Sequence, residues 1–113
     1  MFNCKLLKLD NPTENDISLD NFELVNTYVK ESHLWRYLLK CKDCGQLYFY
    51  EFYEEIDWDK GRDPQYVTYI PVENRDKADE YSKLDQFGIL KEKPRLQKDW
   101  SSEQDKPKIF WIK

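Results

Sequence analysis

Glycine is scarce in this chain, with 3 residues in 113. There is no GxGxxG run and no GxxxxGKS/T run, so neither a dinucleotide-binding turn nor a phosphate-cradling loop is indicated. Histidine occurs once, at His33. A Ser–His or Cys–His catalytic pair would have to use it, and its hydroxyl neighbour Ser32 sits in no elbow pattern. No stretch approaches the ~18 apolar residues of a membrane span, and the opening MFNCKLLKLD lacks the apolar run of a signal peptide. Basic charge is also in short supply. The net charge is −4 and the pI about 5.1. Direct nucleic-acid binding wants a basic footprint and is not expected; a basic protein partner is compatible with this balance.

The 3 cysteines are an odd number. With no secretion signal, they imply a reducing, cytoplasmic location with free or metal-bound thiols. What the chain has in quantity is aromatic side chains, 16%, and charge, 35%, beside 40% hydrophobic residues. That length and apolar content suit one domain over 1–113 with a core that needs no staples. The aromatics favour strands and contact surfaces.

The chain reads most clearly between His33 and Asp63. Two β-rich runs, near 34–41 and 46–56, flank the turn Cys41-Lys42-Asp43-Cys44-Gly45, which is a hairpin signature. In the second run Tyr48, Tyr50, Phe52, Glu54 and Ile56 share one face, and Leu47, Phe49, Glu51, Tyr53 and Glu55 the other. Both faces start apolar and end acidic, as for a covered strand that emerges into solvent. Residues 66–70 read as a third strand stopped by Pro71, and 109–112 as a last one. Residues 2–9 read as an edge strand or lead-in, and Ile89-Leu90 and Arg95-Leu96 as short strand pieces. Residues 101–107 read as a polar loop.

Two helices are predicted. Asp20 with Glu23 has the form of a capping box, and Phe22, Val25 and Val29 recur at helical spacing, although Val25, Thr27 and Val29 also alternate as in a strand. Asn74 is a plausible N-cap for a helix to Gln86, with Gly88 as its stop. The expected architecture is α+β: an antiparallel sheet of four or five strands with one or two helices packed on it.

Charge is distributed unevenly. Residues 51–63 carry six acids against Lys60 and Arg62, and residues 10–31 six acids against Lys30, whereas 83–113 has a net +3. A solvated face is one reading of the 51–63 run. A docking surface is the other, in which Glu54, Glu55, Asp57, Asp59 and Asp63 steer a cationic partner while the interleaved aromatics Tyr53, Trp58 and Tyr66 anchor it. Glu54 with Asp57, or Asp57 with Asp59, has the composition of an acid–base pair. Carboxylates in a solvated run keep ordinary pKa values, so an enzyme is not expected.

Cys41-x-x-Cys44-Gly45 has the shape of one zinc knuckle, two thiolates in a tight turn. Only Cys4 and His33 remain to complete a four-ligand set, and there is no second CxxC. A redox pair is less well suited to this turn, since such pairs sit at a helix start where the dipole lowers the thiol pKa. Two thiols simply packed at a turn is the plainest alternative.

The segment from Cys41 to Val72 resembles a group of small bacterial proteins of uncharacterised role that share a CxxCGQLYFYEFYE…DW…G.D.QY.TYIPV pattern. In size, acidity and aromatic content the whole chain is similar to the immunity proteins of contact-dependent growth inhibition and other polymorphic toxin systems. The resemblance implies a cytoplasmic protein that binds a cognate toxin domain, many of which are nucleases with basic clefts, and blocks it. The alternative is a small zinc-knuckle module for protein interaction, with structural zinc at Cys41 and Cys44.

Overall fold

A computed structural model describes residues 4–55, 64–100 and 106–113. Among them six strands form one antiparallel sheet: β1 (Phe22–Lys30), β2 (Leu34–Cys41), β3 (Leu47–Glu54), β4 (Gln65–Val72), β5 (Arg95–Trp100) and β6 (Lys108–Ile112). They lie in chain order, each paired with the next. One helix, α1 (Arg75–Tyr81), and a helical turn at Gln86–Ile89 fill the β4–β5 connection. The α+β class is as expected; the strand count is six rather than four or five.

Two local readings account for the difference. The segment after Asp20 is a strand. Ser18 Oγ accepts from the Asp20 N–H and caps only a 3-10 turn, Leu19–Asn21, before β1 begins. β1 is bulged between Leu24 and Asn26 and again between Thr27 and Val29. Each bulge inserts a residue and resets the alternation, so apolar side chains at 22, 25 and 29 imitate a helical period. Arg95-Leu96 is the start of a full strand, whereas Ile89 closes the helical turn and is wholly buried.

Pro71 does not end its strand. It lies in β4 opposite Tyr48, beyond Tyr69, the last β4 residue paired to β5, so no ladder bond is asked of it on that side. Residues 5–8 form a 3-10 turn and not an edge strand.

Strand alternation sorts two apolar faces. On one, Leu38, Phe49, Ile70 and Val72 are buried beneath Ala78, Tyr81 and Ile89. Asn74 Oδ1 accepts from the Lys77 N–H and starts α1, which places Ala78 and Tyr81 over the sheet. On the other face, Leu39, Cys41, Tyr48, Tyr50, Tyr69 and Leu96 are buried with Cys4, Leu6 and Ile17 of the N-terminal segment and with Phe22. The Tyr69 hydroxyl donates to the Ile17 carbonyl at 2.6 Å, and the Trp111 indole N–H to the Leu6 carbonyl at 3.2 Å. Each fully buried side chain of this kind stabilises by about 1.5–3 kcal/mol. No helix among the described residues is long and apolar enough to cross a membrane.

Candidate functional site

Under α1 the sheet face reads as three successive rows across the strands. The first is apolar: Leu38, Phe49 and Ile70 are register partners. Two residues along, Arg36, Glu51, Thr68 and Gln97 line up, each 6% exposed or less. Two residues further, Leu34, Tyr53, Tyr66 and Asp99 line up and the cover is gone.

The middle row is polar, and its groups are paired with one another and with neighbours on either side. Arg36 Nε donates to Glu51 Oε2 at 2.8 Å, and its Nη1 donates to the carbonyls of Ser82 and Leu84 just past α1. Burial pushes the Glu51 carboxyl above its ordinary range, and Arg36 partly offsets this. The Thr68 hydroxyl donates to Gln97 Oε1 at 3.0 Å, and Gln97 Nε2 donates to Asp99 Oδ1 at 2.8 Å.

The third row opens into a groove of about 430 Å³. Tyr53 and Tyr66 stack there, centroids 6.3 Å apart and planes at 17°. Glu55 and Asp99 line the same groove with Leu90, Arg95, Phe110 and Ile112, and the middle-row residues Glu51, Thr68 and Gln97 reach its inner end. Desolvation raises the Tyr66 pKa first, and the charges of Glu55 and Asp99 and the neighbouring Tyr53 add to it. Asp99 is raised by burial, with Gln97, Arg95 and Lys108 pulling it back. Two stacked rings between carboxylates suit the apolar stem and charged head of a lysine or arginine.

Four of the sequence-derived docking residues fall in described structure. Tyr53, Tyr66 and Glu55 face the groove. Glu54 alternates to the opposite side, where it accepts from Gln65 Nε2 at 2.9 Å and meets His33 Nδ1 at 2.9 Å. Gln65 and then His33 hold its carboxyl below the ordinary range. Asp57, Trp58, Asp59 and Asp63 lie outside the described residues, as does the expected end of the second hairpin run at Ile56. Asp99 and Phe110 were not legible as site residues. They reach the groove only through the pairing of Tyr66 with Asp99 and of Gln97 with Phe110.

A second cluster lies at the other end of β3, roughly 25 Å away along the strand. The sulfurs of Cys4, Cys41 and Cys44 lie within 4.8 Å of one another. Cys4 is wholly buried and Cys41 7% exposed, while Cys44 is exposed in the turn. The Gly45 N–H donates to the Cys41 carbonyl at 2.8 Å, with Gly45 at φ +81°, a backbone that glycine adopts without strain. Burial pushes the Cys41 thiol up, but hydrogen bonds from the backbone of Cys44 and Asp43 and from the other two cysteines outweigh it, and its pKa is lowered. Desolvation pushes Cys44 up to about 11, with the Gln46 backbone opposing and Cys4 and Cys41 adding. His33, the fourth ligand allowed on paper, is at the far end of the sheet beside Glu54.

No protein-family model, curated protein or solved structure matches the chain.

Proposed function

We propose that the chain is an inhibitor protein of the immunity type, which binds a basic toxin domain, nuclease-like in charge, through the acidic aromatic face at the open end of β3. The observation that carries this reading is the stacked Tyr53–Tyr66 pair set between Glu55 and Asp99. A lysine or arginine of the partner would lie against the rings with its charge toward the carboxylates. Asp57, Asp59 and Asp63 follow directly in sequence and add to the negative field. Steering by these charges raises the association rate, and the desolvated rings supply most of the affinity.

The partner to test is the product of the neighbouring upstream gene, by co-purification and then by calorimetry. Replacing Tyr53 or Tyr66 by alanine should weaken binding by about 2 kcal/mol, on the order of 30-fold. Replacing Glu55, Asp57 and Asp59 together by alanine or asparagine should slow association and flatten its salt dependence. Unchanged affinity and salt dependence in that variant would exclude this surface.

A further inference from the structure

The thiol cluster plays no part in the inhibitor reading, and its surroundings are not those of cysteines packed as small apolar residues. Three sulfurs from two separate segments of the chain converge to within 4.8 Å of one another, and the turn that carries two of them is closed by Gly45 N–H to the Cys41 carbonyl and Cys41 N–H to the Gln46 carbonyl, each at 2.8 Å. The Tyr48 hydroxyl, on a side chain 0% exposed, makes no well-directed hydrogen bond among the described residues, and the polar group facing it is the Cys4 thiol, with Cys41 and Cys44 acting on it from further off. A protonated thiol is a poor acceptor, whereas a metal-held thiolate is a good one, so metal binding would satisfy this hydroxyl.

We propose that Cys4, Cys41 and Cys44 form a three-thiolate site for zinc(II), with the fourth tetrahedral position taken by a solvent ligand. A Zn–S bond of about 2.3 Å sets sulfurs roughly 3.8 Å apart. The three sulfurs already lie within 4.8 Å of one another, so closing onto the metal asks for a movement of no more than about an ångström in any pair. Soft thiolates favour zinc over magnesium, calcium or manganese. Three Zn–S bonds form, the three thiol protons leave to solvent, and no electron is transferred, so affinity falls as pH falls. Beside the cluster lies a space of about 270 Å³, lined in part by Cys4, Cys41, Asn15, Asp16 and Asp43, which has room for the solvent ligand. The metal would tie the N-terminal cover to the β2–β3 turn, a join also made by the exposed Lys5–Asp43 ion pair and by the Lys42 N–H to the Asn21 carbonyl.

The test is titration of cobalt(II) into the reduced full-length chain, followed by the thiolate-to-cobalt charge-transfer absorption and then by displacement with zinc. One cobalt per chain is expected, displaced by one zinc. C4S and C44S should each weaken binding at least as much as the roughly 10–100-fold that loss of an outer-shell partner costs. C44S replaces an exposed residue, so it keeps the test open should C4S fail to fold. Y48F should weaken binding about tenfold, and H33A should leave it unchanged. Absence of the charge-transfer band at equimolar cobalt, or full affinity in C44S, would overturn the site whatever becomes of the toxin-binding face.

Discussion

The first and third rows of the helix-side sheet face lie four residues apart on the same strands, yet they are built for opposite conditions. Leu38, Phe49 and Ile70 are closed off by α1, whereas Tyr53, Tyr66 and Asp99 border open space. The change is not a gradual thinning of the core. A hydrogen-bonded row, Arg36–Glu51 and Thr68–Gln97, separates them and is itself buried. The β2–β3 and β3–β4 ladders run through all three rows, so what changes along them is the cover over the sheet and the chemistry of the side chains beneath it.

The sharpest way to break this contrast is at the boundary. Arg36→Ala would leave Glu51 buried without its partner and strip the donor from two carbonyls, at a cost of about 3–5 kcal/mol in urea unfolding. The double change Arg36→Met with Glu51→Leu should recover most of that loss. If the single variant unfolds like wild type, the Arg36–Glu51 pair is not what holds the boundary between the two rows.

A paired truncation compares the outer rows directly. Phe49→Ala should destabilise by about 3–5 kcal/mol, and Tyr53→Ala by under ~1 kcal/mol despite the loss of a similar ring. Equal effects would mean the third row is core after all. Thr68→Val removes the hydroxyl donor to Gln97 at nearly constant volume and should cost about 1 kcal/mol. The smallest effect concerns Glu54, on the reverse side of the open end. Its folded pKa is depressed by Gln65 and His33. Its contribution is therefore present above the ordinary carboxylate pKa and is lost as pH falls through the lower folded value. Unfolding from about pH 6 to about pH 3 should show this acid limb, reduced in Gln65→Ala and in His33→Ala, by less than ~1 kcal/mol.

The hairpin around Cys41–Gly45 was legible almost to the residue, because turn chemistry and aromatic alternation agree there: 34–41 and 46–56 were expected, and β2 and β3 span Leu34–Cys41 and Leu47–Glu54. The N-cap at Asn74 was legible for the same local reason. The helix after it is shorter than its spacing implied. It stops at Tyr81, and Gly88 lies inside the following helical turn instead of ending the helix. β1 was misread because two bulges scramble its period, and bulges leave no local mark in a sequence. At the site, Tyr53 and Glu55 could be anticipated from their own strand. Asp99 could not, since nothing near it predicts that it will sit across from Tyr66. The gathering of Cys4 with Cys41 and Cys44 depends on the fold of the whole N-terminal segment, and spacing gave only the pair.

Among the described residues, a sheet laid down strictly in chain order has two edge strands, β1 and β6. Such edges invite a foreign strand to add itself. β1 carries outward Leu24 and Val25, 56% and 37% exposed, which would make a straight strand there adhesive. Its two bulges break the ruler that an incoming chain would have to match. β6 is only five residues long and begins at a lysine, with another lysine just beyond its end. The irregularity that hid β1 from sequence reading thus makes that edge a poor template for strand addition.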